Sequence, residues 1–321
     1  MEIAENYSNY LENLKKDELN KIVKDYHEIC DIYDFEQGKN ITKKNKKEII
    51  DYITYNINNY IPSLIKLLDK NDYEILKNII KNYKKLNNEC IKENKQFFDY
   101  LISKQILFVS KTTKMPKDIY NLIKATIIDK STTKEITKNN YLYDLAKGLV
   151  IAYGVIDKKM FVDKLKKVDL KALLKIEYYY KKTYIITKDM VITKKITNKE
   201  KTKKYLNNTV CKEFKNKELI NLARLKYHHN LKSYKKLLKT LKNNYVFKTE
   251  DINFIDKELI IPYLYNSLSE EDSAYKKMLK KVDNLFEFNN DKLKNKIIKL
   301  IIDIRNNFPI WEYRGFSKSE V

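Results

Sequence analysis

The chain has 321 residues, which is more than one compact core usually contains. Hydrophobic residues make up 43% and aromatic residues 12%, a composition that argues against a disordered chain. Glycine and proline occur four times each, which excludes Gly-rich phosphate-binding loops and disfavours β-sandwiches and barrels. We therefore predict a mainly α-helical, multi-domain protein. The net charge of +22 indicates a polyanionic partner.

Lysine is concentrated in one part of the chain. Residues 151–250 contain 27 lysines and arginines and 9 acidic residues, which accounts for +18 of the net charge. An A/T-rich coding genome would raise the lysine content everywhere, so the concentration favours a surface that faces a polyanion over a merely solubilising one. Arginine, which reads guanine best, occurs only three times. We therefore expect contacts with the nucleic-acid backbone and weak sequence selectivity.

The sequence shows neither a secretion signal nor a membrane segment. The acidic N-terminal residues lack the apolar core of a signal peptide, and no stretch reaches the roughly 18 apolar residues of a membrane helix. Cys30, Cys90 and Cys211 lie far apart, which predicts buried thiols in a reducing compartment and not a disulfide framework or metal motif. We expect a cytoplasmic protein with no membrane partner.

Residues 1–60 predict a small N-terminal helix–loop–helix module. Apolar residues repeat at helical spacing in the first helix, and the second helix begins after Asn45. The segments LKKDELNKIVKDY (14–26) and KKNKKEIIDYI (43–53) resemble the helix–extended loop–helix modules of the SAP and Rho-N-terminal families. The resemblance implies binding to DNA or RNA. The lysines that suit phosphates in this module are Lys43, Lys44, Lys46 and Lys47.

Residues 61–150 predict a second helical domain. Pro62 suits the start of a helix, and further helices follow it. Residues 106–109 predict a strand, which leads into a basic turn at 111–114. This order of helices, strand and basic turn is that of a winged helix, so we expect a winged-helix-like domain by analogy.

Residues 151–250 predict a basic helical region with a short β-hairpin. Gly154 should end one helix, and Asp157 should cap the next. β-branched residues on both sides of Lys188-Asp189 predict a hairpin near 183–197. The residues of this region that we expect to contact phosphates are Lys181, Lys182, Lys194, Lys195, Lys201, Lys203, Lys204, Lys235 and Lys236.

Residues 251–321 predict a helical C-terminal unit with a distinctive tail at 308–316. The helices are expected at 255–268, 272–288 and 291–306. The tail contains Trp311, the only tryptophan, and Arg314. We expect the tail to be an ordered anchor that packs on the chain's own helices or docks on a protein partner.

No catalytic motif is present. The sequence lacks the short motifs of nucleotide binding, zinc proteases and serine hydrolases. His27, His228 and His229 are the only histidines, and adjacent residues point about 100° apart on a helix, which argues against a metal site shared by the last two. We therefore predict no catalytic residue, no metal and no cofactor.

Three functions fit these patterns. The first is a non-enzymatic protein that binds DNA or RNA. The second is a helical protein–protein adaptor whose lysines reflect genome composition. The third is an enzyme that acts on nucleic acid through an unrecognised site. One continuous basic surface would favour the first, whereas scattered lysines would favour the second.

Overall fold

The chain forms two compact units, and among the described residues unit 1 contains those up to Leu142 and unit 2 those from Tyr143 onwards. The computed structural model describes residues 2–33, 35–36, 41–83, 88–109, 113–165, 184–193, 210–266 and 268–321. Both units are mainly α-helical, which confirms that part of the predicted fold class. None of the helices in these ranges is long and apolar enough to cross a membrane.

Unit 1 combines helices with a small three-stranded sheet. Its elements are β1 (Glu2–Ala4), α1 (Tyr7–Glu12), α2 (Lys16–Tyr33), a 3-10 turn (Ile41–Lys43), α3 (Lys46–Lys66), α4 (Lys70–Lys81), α5 (Asn88–Glu93), α6 (Lys95–Ser103), β2 (Phe108–Val109), β3 (Thr113–Pro116), α7 (Lys117–Ile128) and the first part of α8 (Lys130–Tyr153). The strand order is β1-β3-β2, with β1 parallel and β2 antiparallel to β3.

The helices α2 and α3, which correspond to the predicted N-terminal module, belong to a larger core. Their apolar faces share one cluster of buried residues with Phe97, Phe98 and Ile119 from later helices. α3 begins after Asn45 as predicted. The Asn45 side chain accepts a hydrogen bond from the backbone N–H of Glu48 at 2.9 Å, and the Glu48 carboxylate accepts one from the Asn45 N–H at 3.1 Å.

Pro62 lies inside α3, so the prediction that it starts a helix is wrong. Proline removes one intrahelical hydrogen bond, which normally favours the end of a helix. Here the neighbouring residues Ile61, Leu64 and Ile65 are almost fully buried, and this packing holds the helix together across the missing bond. The helix consequently runs through the predicted domain limit at residue 60.

Unit 2 combines helices with a second three-stranded sheet. After the end of α8 its elements are β4 (Val155–Asp157), α9 (Lys158–Lys164), β5 (Tyr184–Ile186), β6 (Met190–Thr193), α10 (Asn216–Ala223), a 3-10 turn (Tyr227–Asn230), α11 (Lys232–Asn244), α12 (Thr249–Ile255), a π-helical turn (Asp256–Ile260), α13 (Ile261–Leu264), a 3-10 turn (Leu268–Glu270), α14 (Glu271–Leu285), α15 (Asp291–Asn306) and a 3-10 turn (Trp311–Tyr313). The predicted domain limits at residues 150 and 250 fall inside α8 and α12.

The predicted β-hairpin is present in unit 2. β5 and β6 pair antiparallel on either side of Lys188-Asp189, and β4 pairs with the other edge of β6. Lys-Asp is not a favoured pair for a tight turn, but the side chain of Thr187 supports this one. Its Oγ1 accepts a hydrogen bond from the N–H of Met190 at 3.0 Å.

The C-terminal tail packs against the end of α8. Gly154 ends α8 as predicted, with a φ of +67° that residues with a side chain rarely adopt. A Cβ atom at Gly154 would lie 2.6 Å from Cε3 of Trp311, so the glycine leaves room for the indole ring. Arg314 is 4% exposed and donates from Nη1 to the carbonyl oxygen of Val155 at 2.6 Å. The two predicted docking residues therefore contact the protein's own unit 2.

Replacing Gly154 by alanine should destabilise unit 2. The left-handed conformation alone costs about 1–2 kcal/mol for a residue with a Cβ atom, and the contact with Trp311 adds to this. The emission maximum of Trp311, followed during urea denaturation, measures both the stability and the displacement of the ring. Val246→Ala is the control because Val246 is 96% exposed. An unchanged emission maximum and midpoint in Gly154→Ala would contradict the packing of the tail.

Candidate functional site

α11 is a strongly basic helix whose two sides lie in different environments. Its inner side buries Leu237 and Leu241, and the helix packs along α15. Its outer side is exposed and spans an arc of about 120° around the helix axis. The residues of this outer side, which we call the lysine face, are Lys232, Lys235, Lys236, Lys239 and Lys242. No acidic residue occurs in α11.

Within the part of the chain that the structure describes, no ion pair neutralises the charge of the lysine face. Lysines three or four residues apart on a helix repel each other by roughly 0.2–0.5 kcal/mol per pair. Among the described residues of unit 2, the ion pairs of lysine and arginine involve Lys212, Arg224, Lys281, Lys294 and Lys318. The lysine face takes part in none of them, so its charge is available to an anion from outside.

The inner side of α11 holds a buried carboxylate. Asp256 is 6% exposed, and the hydroxyl of Tyr234 donates a hydrogen bond to its Oδ1 at 2.7 Å. Burial, together with the hydrogen bond to the Asp256 carboxylate and its charge, raises the pKa of Tyr234 far above the usual range. Tyr234 therefore keeps its proton and remains a donor.

Two histidines reach the same carboxylate. Nε2 of His229 lies 2.6 Å from Oδ2 of Asp256, and Nε2 of His228 lies 3.1 Å from Oδ1. The two rings meet edge to face with centroids 4.6 Å apart, and Tyr234 stacks on His229 at 4.9 Å. We call these four residues the Asp256 cluster.

The sequence-based expectation that His228 and His229 point apart is therefore wrong. The two residues form part of a 3-10 turn and not of an α-helix. Divergence at Cβ does not fix where the ring nitrogens end, because each imidazole is oriented by its own χ1 and χ2 angles. A carboxylate also offers two oxygens, and each ring approaches a different one.

The hydrogen bonding of the cluster is incomplete at His228. This side chain is fully buried, and neither ring nitrogen has an aligned hydrogen-bond partner, although Nε2 is close to Asp256. A buried polar atom in this state costs about 1–3 kcal/mol. Burial by itself would raise the pKa of Asp256, but the interactions with His228, Tyr234 and His229 outweigh it and lower the pKa. The carboxylate is therefore ionised at neutral pH.

Four of the predicted phosphate-binding residues lie in unit 1 and are exposed near the start of α3. They are Lys43, Lys44, Lys46 and Lys47. Nζ of Lys44 lies 3.3 Å from the carboxylate of Glu48, and Lys46 donates to the backbone oxygen of Glu12 at 2.6 Å. Two of these four lysines are therefore engaged within their own unit.

Most of the other predicted lysines lie outside the described residues, namely Lys181, Lys182, Lys194, Lys195, Lys201, Lys203 and Lys204. Lys235 and Lys236 are described, and both belong to the lysine face. The other three lysines of this face were not predicted, although their spacing in KSYKKLLKTLK (232–242) indicates one helix face. Asp256 was not predicted either, because it lies 22 residues from Tyr234 and has no motif around it.

Comparisons with protein-family models, with curated proteins and with solved structures found no match to this chain. Function is therefore inferred from the geometry of the site. Both features of the candidate site depend on α11. This helix carries the lysine face on its outer side and contacts Asp256 through Tyr234 on its inner side.

Replacing Tyr234 by phenylalanine should destabilise unit 2 while keeping the ring contacts. The change removes one buried hydrogen bond to a charged group, which is worth about 1.5–3 kcal/mol. Urea denaturation monitored by circular dichroism gives the free energy of unfolding. Tyr275→Phe on α14 is the matched control, since Tyr275 is exposed. If the free energy of unfolding of Tyr234→Phe decreases no more than that of the control, the hydroxyl does not stabilise Asp256.

Proposed function

We propose that this protein binds the phosphate backbone of nucleic acid through the lysine face of α11. The observation that carries the proposal is a helix with five exposed lysines on one side and no carboxylate anywhere along it. A polyanion relieves the repulsion among these lysines, and each phosphate contact releases counterions condensed on the nucleic acid. Binding by this face is accordingly driven by electrostatics and weakened by salt.

The three arginines support weak sequence selectivity. Bidentate reading of guanine uses an arginine whose guanidinium is exposed and unpaired. Arg305 and Arg314 are almost fully buried, and Arg305 donates to the backbone oxygen of Leu264. Nε of Arg224 lies 2.6 Å from the carboxylate of Asp144. The basic side chains left to contact nucleic acid are therefore lysines, and lysine binds phosphate as a point charge.

The N-terminal module supplies a second region for the same proposal. Its resemblance to SAP and Rho-N-terminal modules rests on residues 14–26 and 43–53, which lie on α2 and around the start of α3. We assign additional phosphate contacts there to Lys43 and Lys47. The winged-helix-like character of residues 61–150 is kept as a further hypothesis.

Neutralising the lysine face should weaken binding and flatten its salt dependence. The variant carries glutamine at Lys232, Lys235, Lys236, Lys239 and Lys242. Each lost contact with duplex DNA should reduce the slope of log affinity against log salt by roughly 0.9, and with single strands by roughly 0.7. Fluorescence anisotropy with labelled duplex DNA, single-stranded DNA and RNA across a salt series measures the slopes. The variant should be at least as stable as the wild type, because like-charge repulsion is removed.

A matched control removes the same charge from unit 1. It carries glutamine at the exposed positions Lys117, Lys124, Lys130, Lys134 and Lys138, and its slope should equal that of the wild type. A second variant neutralises Lys194, Lys195, Lys201, Lys203 and Lys204. A slope change in this variant alone would contradict the assignment to α11. Wild-type protein that binds none of the three nucleic acids would contradict the proposed function and favour the adaptor hypothesis.

A further inference from the structure

The Asp256 cluster contains the donor atoms of a metal site. Across the residues that the structure describes, His228, His229 and Asp256 are the one group of three such side chains close enough to hold an ion, with donor atoms within 4.8 Å of one another. All three lie in unit 2, on the 3-10 turn before α11 and on the π-helical turn after α12. We propose that these residues bind one divalent transition-metal ion, for which Zn²⁺ is the best match.

The chemistry of the donors selects the class of metal. Imidazole nitrogens with one carboxylate oxygen suit Zn²⁺ and similar ions, whereas Mg²⁺ and Ca²⁺ prefer sites made of oxygen ligands. Zinc binds these donors at about 2.0–2.2 Å, so an ion shared by two of them requires separations below about 4.4 Å. The separations from Asp256 to the two rings, 2.6 Å and 3.1 Å, lie below this limit, and all three donor atoms lie within 4.8 Å of one another. An ion among them therefore requires the imidazoles to rotate so that each ligating nitrogen faces it.

His228 supplies an independent reason to place an ion here. Its ring is fully buried, and both nitrogens lack an aligned hydrogen-bond partner. Such an atom is costly when it interacts with nothing, whereas a metal ion uses the lone pair of the neutral imidazole. An ion in the cluster therefore gives a partner to one of the two ring nitrogens of His228. The ring of His229 is only half-buried, so the site is open to water on that side. A water molecule provides a further ligand.

The surroundings of the cluster resemble those that hold metal ligands in place. Tyr234 donates to Oδ1 of Asp256 and packs against both imidazole rings, with ring centroids 4.8 Å and 4.9 Å away. Outer partners of this kind orient a ligating carboxylate. Asp256 also opens a π-helical turn, a feature that occurs frequently at functional sites. Tyr234 is therefore a positioning residue for the proposed site.

Metal titration of the full chain tests the proposal. The protein is dialysed against a chelator and then titrated with Zn²⁺ in a calorimeter, and with Co²⁺ while its visible absorption is recorded. We expect one equivalent of either ion, with Co²⁺ bands of a four- or five-coordinate site. His229→Ala and Asp256→Asn should each reduce the affinity by more than the roughly 10–100-fold expected for Tyr234→Phe, which removes only an outer hydrogen bond. His27→Ala is the control, because His27 lies in unit 1.

The outcomes separate a metal site from a purely structural cluster. The proposal holds if the wild type and His27→Ala bind one equivalent, and the cluster variants lose it while their metal-free circular dichroism spectra remain native. Asp256→Asn keeps an acceptor for Tyr234, and His229 is partly exposed, so at least one of these variants is expected to fold. Wild-type protein that binds no stoichiometric Zn²⁺ would overturn the proposal. So would one equivalent that remains bound with unchanged affinity in His229→Ala or Asp256→Asn.

Discussion

An ionised carboxylate inside a protein needs donors or opposite charge around it, and the structure of unit 2 follows from how Asp256 obtains them. Asp256 is almost fully buried at the junction of α12 and α13. One donor comes from Tyr234 on α11, and two imidazoles come from the 3-10 turn before it. The 3-10 turn and α11, which follow each other in sequence, are thus tied to the π-helical turn through one side chain.

This interaction also fixes the orientation of α11. Tyr234 must point inward to reach Asp256, and the apolar residues Leu237 and Leu241 lie on the same inner side. The helical period then requires the lysines between and around these positions to point outward. A rotation of α11 about its axis would remove the donor from Asp256 and bury lysine side chains, and both changes are strongly unfavourable. The buried cluster and the exposed lysine face are therefore two consequences of one helix orientation.

The parts of the fold that were predictable are those with local causes. Asn45, Gly154 and the hairpin around Lys188-Asp189 were predicted because caps, left-handed turns and β-branched runs act within a few residues. The position of Pro62 was predicted wrongly because the burial of its neighbours outweighs the local preference. β1 was not predicted, since a strand of three residues is too short to show a period.

The candidate site likewise has one part with a local cause, which was predictable, and one part without, which was not. The lysine face follows from helical spacing within residues 232–242, and two of its members were named from the sequence. The convergence of His228 and His229 on Asp256 depends on tertiary packing across more than twenty residues, for which the sequence offers no periodic signal. The angle between adjacent residues on a helix led to the opposite expectation, because it describes Cβ directions and not the positions of ring nitrogens.

The most direct measurement for the central claim is a map of lysine accessibility on the unmodified protein. Lysines are acetylated with and without saturating duplex DNA at low salt, and each modified position is quantified by mass spectrometry. The lysine face of α11 should become protected by the nucleic acid, while Lys117, Lys124, Lys130, Lys134 and Lys138 of unit 1 should react as before. Protection spread evenly over both sets, or absent from α11, would contradict the claim that this face is where the protein contacts the phosphate backbone.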